Sequence, residues 1–519
     1  MSPLVAVALL AAACGASNDQ AAQDTSSQAA DSGATETAET TTSTIAEVVS
    51  DDATPVDPTE APLASDNDEA TTSTPAVELD GQVGGETVGD PYFPNIGNTG
   101  YDVAHYDLDL TVDIVGVDAI SALATIDIET TTDLDRLSFD FVGLVVSSAE
   151  IDGEPANFEQ TPTKLRITPA ATLPAESAHV VSVEYAGTPE TIQSGTRIGE
   201  IGWYDREVAS VAIGEPFGAR TWYPVNDHPS DKATYDIRLN VPESSVGVSN
   251  GVLVSQETFA DRTITSWEMR QPMASYLATV TVGDFLIIDG DPFGETEVVD
   301  AIPSRLVDVA PGDFDQTDEM LEVFSELFGP YPFDEYGVMV IDANFGFALE
   351  TQGRSIFSAG LVDGDGSIER IVAHELAHQW FGNSVSPATW RDIWLNEGFA
   401  SYAEDLWLEF GRGTDPAELE NRLVTRALEA PSPAPQDPGA AGLFDPSVYR
   451  RGGVTLHALR LQVGDDVFFD ILRAWTERFG GSAASTADFV ALAEEFAGEE
   501  LDDFFEAWLG AEALPDLPG

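Results

Sequence analysis

The sequence predicts an α+β protein, in which an antiparallel β domain precedes a mainly helical domain. Between residues 101 and 290, apolar and polar residues alternate with the two-residue period of half-buried strands. From about residue 300 onward, apolar residues recur at the three- and four-residue spacing of amphipathic helices. At 519 residues the chain is long enough for two or three domains. We divide it into the segments 1–14, 15–90, 91–290 and 291–519.

The first segment, 1–14, resembles a bacterial lipoprotein signal. A short apolar run, residues 5–13, ends in A-A-A-C-G, and Cys14 stands where such signals carry the lipidated residue. No Lys or Arg precedes the run, so an ordinary cleaved secretion signal is the alternative. The run is too short to span a bilayer. We expect an extracytoplasmic protein, tethered to the cell membrane through Cys14 or otherwise secreted.

Residues 15–90 are rich in Ser, Thr, Ala, Asp and Glu and contain few large apolar side chains. Such a segment buries too little apolar surface to fold, so we predict a disordered acidic linker. The whole chain has 91 acidic and 22 basic residues, a formal net charge of -69. Because nucleic acid is bound by basic patches, this charge excludes nucleic acid as an expected partner.

The predicted β domain, 91–290, has its clearest alternation at residues 106–114, where Tyr, Leu, Leu, Val and Ile alternate with polar neighbours. Similar runs occupy residues 122–128, 137–141 and 181–185, and turn-forming pairs such as Asp152-Gly153 separate them. Short alternating runs with turns between them are typical of antiparallel sheets.

The predicted helical domain, 291–519, begins with an amphipathic pattern at residues 320–327, which Gly329 and Pro330 terminate. Residues 338–341 are apolar and predict one buried strand. Helical spacing returns later in the chain, at residues 415–428, 449–461, 466–479, 486–496 and 501–509.

Two histidines in the stretch I-V-A-H-E-L-A-H-Q-W-F predict a metal site. The stretch has helical spacing, and residues four apart, such as His374 and His378, lie on the same face of a helix. Two stacked imidazoles suit a divalent metal, above all zinc. Glu375 projects beside that face, where it could accept a proton from a zinc-activated water without being a ligand itself.

Glu397 is the candidate for the third ligand of this site. Eighteen residues separate it from His378, and it lies in D-I-W-L-N-E-G-F-A-S-Y, a second predicted helix that can fold back on the first. Two histidines and one carboxylate leave a fourth position open for water, which is the catalytic arrangement of Zn²⁺. We expect one zinc ion per chain. The alternative is that His374 and His378 are ordinary core histidines.

These motifs resemble the aminopeptidase N family of zinc metallopeptidases, whose signature is H-E-x-x-H, eighteen residues and a Glu in an N-E-G-F-A context. The resemblance implies a thermolysin-like, mainly helical catalytic domain after the β domain. Most members continue into further domains beyond this one, whereas the present sequence ends shortly after Trp508. We therefore expect a short form without the C-terminal helical domain.

The resemblance also implies roles for residues outside the zinc motif. Glu215, in G-E-P-F-G-A-R, matches an acidic position that binds the free amine of the substrate. The run F-A-L-E-T matches the G-A-M-E-N substrate strand, so Ala348 and Leu349 would lie along the substrate and Glu350 would grip its amine. The changes of Gly to Phe, Met to Leu and Asn to Thr leave the shape of the side-chain pocket open. Tyr449, in V-Y-R-R-G, would donate to the oxyanion.

The activity implied is removal of N-terminal residues from peptides that have a free N-terminus. One alternative is a zinc endopeptidase on the same scaffold, since the substrate strand departs from the family pattern. Another is a catalytically silent, surface-tethered binding module, although the set of candidate catalytic residues is complete. An epoxide-hydrolysing relative gains no support from this sequence.

Overall fold

The structure, a computed structural model, describes residues 82–115, 117–205, 209–343 and 346–518. The predicted signal, with Cys14, and most of the predicted linker lie outside these residues. The predicted fold class is confirmed, because a part made mostly of strands precedes a mainly helical part.

Strands predominate in the chain as far as residue 303. In chain order they are β1 (Gln82–Val83), β2 (Tyr101–Val115), β3 (Val117–Thr130), β4 (Leu134–Asp140), β5 (Val145–Ile151), β6 (Glu154–Pro155), β7 (Asn157–Gln160), β8 (Lys164–Thr168), β9 (Ala178–Gly187), β10 (Thr191–Gln193), β11 (Glu200–Asp205), β12 (Ala209–Ile213), β13 (Lys232–Pro242), β14 (Val246–Ser249), β15 (Val252–Phe259), β16 (Arg262–Ala274), β17 (Val280–Gly283), β18 (Phe285–Asp289) and β19 (Glu297–Pro303).

The helical part contains both helices and short strands. Its helices are α1 (Pro311–Phe314), α2 (Thr317–Phe328), α3 (Glu369–Ala377), α4 (Trp394–Phe410), α5 (Pro416–Glu429), α6 (Pro446–Val463), α7 (Asp465–Phe479), α8 (Thr486–Ala497) and α9 (Asp502–Phe505). Its strands are β20 (Glu335–Tyr336), β21 (Val338–Ile341), β22 (Ala348–Leu349), β23 (Ser355–Ser358), β24 (Val385–Pro387) and β25 (Ser482–Ala484).

A long sheet in the first part has the strand order β15-β16-β13-β2-β3-β9-β5-β6. Leu108, Leu110 and Val112 of β2 are fully buried while the residues between them are more exposed, as the alternation predicts. Neighbouring strands are antiparallel except β2 and β13, which are parallel. In a smaller sheet, β1 and β4 are also parallel. The β domain is therefore predominantly antiparallel, as predicted. Alternation reports the buried face of a strand and not its neighbour's direction, so it did not indicate these parallel pairs.

Two further sheets position candidate site residues. The sheet β10-β11-β12-β17-β14 ends β12 at Ile213, immediately before the turn that carries Glu215. The sheet β18-β19-β21-β23-β22 has β22 at its edge, paired antiparallel with β23. This edge strand contains Ala348 and Leu349, as predicted for a substrate strand.

Two elements pair across the predicted segment boundaries. Within the predicted linker, residues 82–90 are ordered: β1 pairs with β4, and the buried Asp90 accepts hydrogen bonds from the backbone N–H groups of Tyr92, Phe93 and Trp390. The polar composition of residues 82–90 did not indicate this pairing, because it involves backbone groups and residues far along the chain. The strand β18, predicted within the β domain, pairs with β19 and so extends the sheet that also contains β21, β22 and β23 of the helical part.

Helix ends in the second part follow local sequence signals. Asp415 and Asp445 cap α5 and α6, each with proline in the first turn, and Ser485 begins α8 with a capping box. Helix α4 is buried on every side over most of its length, as expected of a helix at the centre of a core. No helix in the described ranges combines the length and apolar character needed to cross a membrane.

Candidate active site

Helix α3 carries the two histidines and is positioned by the loop before it. The buried carboxylate of Asp313 accepts hydrogen bonds from the backbone N–H groups of Asp363, Gly364 and Gly366, which holds this loop at the start of the helix. The helix ends at Ala377, one residue before His378, although the sequence predicts that it continues. His378 keeps helical backbone angles, so the spacing of the two imidazoles is preserved.

The three predicted ligands converge on one point. Oε2 of Glu397 lies 3.3 Å from Nε2 of His374 and 3.5 Å from Nε2 of His378. Ligand atoms about 2.1 Å from a tetrahedral zinc ion are about 3.4 Å apart, so these separations suit zinc. All three side chains are buried.

The proton positions on both histidines also suit a metal. Nδ1 of His378 lies 3.1 Å from the backbone oxygen of Phe381, which can only accept, so Nδ1 carries the proton. Nδ1 of His374 lies 3.1 Å from Oε1 of Glu404, which as a carboxylate also accepts. Nε2 of both rings therefore faces the oxygen of Glu397. With Nδ1 held by its acceptor, each Nε2 can offer an electron pair to a zinc ion, whose binding displaces any proton from that atom.

Charges around the site keep the carboxyls of Glu397 and Glu404 ionised. Burial opposes the charge on Glu404, but Arg370 and Arg426 hold the pKa of this carboxyl well below its usual range. Burial also opposes the charge on Glu397, and the neighbouring histidines lower the pKa of that carboxyl to about 2. Ionised carboxylates are the form that binds zinc and orients a ligating histidine.

Glu375 and Tyr449 line the same cavity as the ligands. A carboxylate oxygen of Glu375 lies within 4.8 Å of ligand atoms of His378 and Glu350. Burial raises the pKa of Glu375 to about 8, with Glu350 and Glu397 acting in the same direction. The ring of Tyr449 stacks on that of His374, with centroids 5.9 Å apart and planes at 16°. Both side chains are therefore adjacent to the expected zinc position.

Two further acidic side chains face the cavity beside the zinc ligands. Glu215 and Glu350 are only 2 % and 3 % exposed, and each places a carboxylate oxygen within 4.8 Å of one on Glu397. Oε1 of each has no hydrogen-bond partner among the described residues. Burial and the neighbouring Glu350 raise the pKa of Glu215 well above its usual range. Unpaired buried carboxyls of this kind are stabilised when a cationic group enters between them.

The backbone holds both of these carboxylates in place. Gly214 packs so closely on the carbonyl oxygen of Tyr276 that a Cβ there would lie 2.4 Å from it, which fixes the turn carrying Glu215. The backbone oxygen of Glu350 accepts hydrogen bonds from the side-chain amides of Gln379 and Asn383, which follow the zinc helix. The substrate strand is thereby tied to the zinc helix.

These residues line one shared cavity. Ala348 and Leu349 of β22 form part of its wall, where the sequence predicts contacts with substrate. All the candidate zinc-site and substrate residues from the sequence meet here.

Sequence reasoning missed Glu404, Gln379, Asn383 and Tyr276. Glu404 had a usable signal, because it lies seven residues after Glu397 and therefore on the same face of α4. Tyr276, which donates a hydrogen bond to the backbone oxygen of Gly382, comes from the β part and had no such signal. Its role depends on a contact between residues distant in sequence.

Comparisons with known proteins agree with this arrangement. Residues 313–508 match the family model described as the Peptidase family M1 domain, and residues 103–277 match the Peptidase M1 N-terminal domain. A solved structure, described as a mutant M1 zinc metallopeptidase from Deinococcus radiodurans bound to a Tyr-Ser-Ala substrate, is 34% identical with a TM-score of 0.78. It aligns with 83% of this chain and 99% of its own.

Curated relatives share less of their length. Aminopeptidase M1-A of Oryza sativa subsp. japonica is 29% identical over 336 residues, which are 58% of this chain and 37% of the rice protein. Leucyl aminopeptidase of Saccharolobus solfataricus is 25% identical over 412 residues, which are 75% of this chain and 51% of the archaeal protein. The chain thus spans between about a third and a half of the length of these curated relatives.

Proposed function

The chain belongs to the M1 family of zinc metallopeptidases, and we propose that it removes single residues from the N-termini of peptides. The observation that carries this proposal is the pair of buried carboxylates, Glu215 and Glu350, beside the three zinc ligands. An ammonium group bound between them would place the first peptide bond of the substrate at the zinc site. This pair would therefore limit cleavage to one residue at a time.

We assign one zinc ion per chain to His374, His378 and Glu397. Bound there, zinc would supply Lewis acidity that polarises the scissile carbonyl and lowers the pKa of a water. Glu375 would accept the proton of the attacking water and pass it to the leaving amine nitrogen. The hydroxyl of Tyr449 would donate a hydrogen bond to the carbonyl oxygen as negative charge develops on it.

A comparison of free and N-acetylated peptides tests the exopeptidase assignment. An acetylated N-terminus cannot form the charge-assisted contacts that an ammonium group makes with Glu215 and Glu350. Loss of one partner of a buried charge pair costs about 2–5 kcal/mol, so capped peptides should be very poor substrates. Glu350→Gln should impair hydrolysis of free-amine substrates far more than of capped ones. Glu322→Gln, at an exposed position on α2, is the matched control.

Two outcomes of that comparison contradict the proposal. Internal cleavage of capped peptides at rates comparable to free peptides would establish the endopeptidase alternative instead. Peptide binding without hydrolysis by the zinc-loaded protein would favour the silent binding module. Chelation with zinc add-back checks the metal: activity should disappear with the chelator and return with one equivalent of zinc.

We also propose that Cys14 anchors the protein to a membrane through a lipid. The support is in the sequence, where the apolar run at 5–13 ends immediately before the cysteine. In detergent-phase partitioning, Cys14→Ser should move the protein from the detergent phase to the aqueous phase. Identical partitioning of the variant and the wild type would indicate a plain secretion signal.

A further inference from the structure

Outside the catalytic residues, the wall of the active-site cavity is apolar. Its apolar side chains come from both parts of the chain: from the β10–β11 loop, the end of β12, the substrate strand, the loop before α3, α3 itself and the residue that precedes the cap of α6. They include, in that order, Ile198, Ile213, Leu349, Leu361, Ile371 and Phe444.

Every charged or titratable side chain among the described residues of the cavity wall already has an assigned role. His374, His378 and Glu397 are assigned to zinc, and Glu375 and Tyr449 are assigned to the chemistry. The two remaining acids are the pair that receives the substrate's amine. A charged first side chain would therefore lose its hydration in this cavity without gaining a partner, which is unfavourable.

An ion pair joins the two parts of the chain at the edge of this cavity. Nη2 of Arg197, from the β10–β11 loop, lies 2.5 Å from Oδ2 of Asp445. Their chain neighbours, Ile198 and Phe444, both line the cavity. Asp445 also caps α6, the helix of Tyr449, because its Oδ1 accepts a hydrogen bond from the backbone N–H of Ser447. The ion pair therefore links the two segments that carry these apolar wall residues, one from each part of the chain.

We propose that the enzyme selects peptides whose first residue has an uncharged apolar side chain, and that Ile198 and Phe444 are specificity-determining residues positioned by the Arg197–Asp445 ion pair. This inference rests on the proposed aminopeptidase function. It defines a substrate class, namely peptides that begin with residues such as leucine, methionine or phenylalanine. Arg197 and Asp445 are positioning residues, since they act through their neighbours.

A panel of aminoacyl 4-nitroanilides tests the preference on the zinc-loaded, full-length protein. The values of kcat/KM for leucyl and phenylalanyl substrates should exceed those for lysyl, arginyl, glutamyl and aspartyl substrates by at least about a hundredfold. Equal rates for charged and apolar first residues would overturn the specificity proposal and leave the aminopeptidase function intact. Failure to hydrolyse any of the panel would overturn both.

Substitution of Ile198 tests the pocket by gain of function. Ile198→Glu introduces an acid into the wall, so the lysyl-to-leucyl ratio of kcat/KM should rise by about a hundredfold or more. The control Val254→Glu adds the same charge at an exposed position of β15 and should leave the ratio unchanged. An unchanged ratio in Ile198→Glu, with zinc content and alanyl-substrate turnover retained, would exclude Ile198 from the pocket.

Asp445→Asn tests the ion pair without removing the helix cap, because asparagine is also a good capping residue. KM for the phenylalanyl substrate should rise about tenfold, while its kcat changes little. KM for the alanyl substrate should also change little, because the alanyl side chain reaches less of the wall. Arg197→Gln, which breaks the pair from the other side, should reproduce this change. Equal changes for both substrates would indicate a structural role and contradict the positioning role.

Discussion

Single residues of the site have environments that separate their roles. Glu375 and Glu397 are both buried carboxylates of one cavity, yet burial raises the pKa of Glu375 to about 8, whereas the neighbouring histidines overcome burial and lower the pKa of Glu397 to about 2. A group that stays ionised is suited to metal binding, and a group that readily takes a proton is suited to proton transfer. A bound cation would lower the pKa of Glu375 from this value.

Glu375→Gln should retain zinc and lose nearly all turnover. The change removes the proton acceptor and leaves all three ligands in place, so kcat should fall by roughly 10² to 10⁴-fold. Metal analysis and kinetics on the same preparation check this. A parallel loss of zinc and activity would mean that Glu375 is a ligand.

Glu404→Gln should weaken zinc binding although Glu404 is not a ligand. The carboxylate of Glu404 orients His374 through Nδ1, and loss of such a partner typically costs about 10–100-fold in metal affinity. Competition with a chelator of known affinity measures the effect, and Glu322→Gln on the surface of α2 serves as the control. Wild-type affinity in Glu404→Gln would exclude this orienting role.

At the scale of elements, the register of α4 against α6 sets the distance between Glu397 and Tyr449. Gly398 and Gly452 meet where these helices cross, and a Cβ on Gly452 would lie 2.8 Å from the Cα of Gly398. Glycine usually destabilises a helix, so its presence here indicates that the close approach of the two backbones is required. Each glycine is near a functional residue of its own helix, Glu397 or Tyr449.

Gly452→Ala should therefore lower both stability and turnover. The added methyl group forces the helices apart, which costs about 1–3 kcal/mol and shifts Tyr449 relative to Glu397. The neighbouring Gly453 is the matched control, because a Cβ there meets nothing closer than 3.5 Å. Gly453→Ala should be neutral or stabilise by up to about 1 kcal/mol. Unfolding midpoints and kcat compare the two, and equal effects would show that the helix crossing does not require Gly452.

At the scale of the whole molecule, the β part completes the active site of the helical part. The hydroxyl of Tyr276 donates to the backbone oxygen of Gly382, and the side chain of Lys232 donates to those of Asn383 and Ser384. These three acceptors belong to the loop between the zinc-binding helices. The β part therefore supplies support for the zinc site as well as Glu215 and Ile198.

The net charge of -69 predicts that salt stabilises the folded protein. Like charges held in a compact fold repel one another, and the screening length falls from about 10 Å at 0.1 M salt to about 3 Å at 1 M. Because this screening weakens the repulsion, the urea midpoint of the zinc-loaded protein should rise between about 0.05 and 0.5 M sodium chloride. Sucrose at matched osmolality is the control. A midpoint that falls with salt would mean that favourable ion pairs outweigh the repulsion.

The sequence by itself determined the chemistry of the zinc site. His374, Glu375 and His378 lie within one helical turn of each other, so the helix period alone brings them together. Glu397 required one further step, a second helix folding back, which the apolar pattern around it indicates. The strands of the β part were recognisable for the same reason, since a two-residue period is a local property.

Only the tertiary structure decided which distant residues complete the site. Four features each join separate segments: the pairing of β2 with β13, the pairing of β1 with β4, the contact of Glu404 with His374, and the cavity wall that Ile198 and Phe444 share. Periodicity and spacing describe a chain only over one element, whereas such contacts depend on how elements pack. For this reason the sequence indicated the reaction chemistry but not the wall of the active-site cavity that selects a substrate.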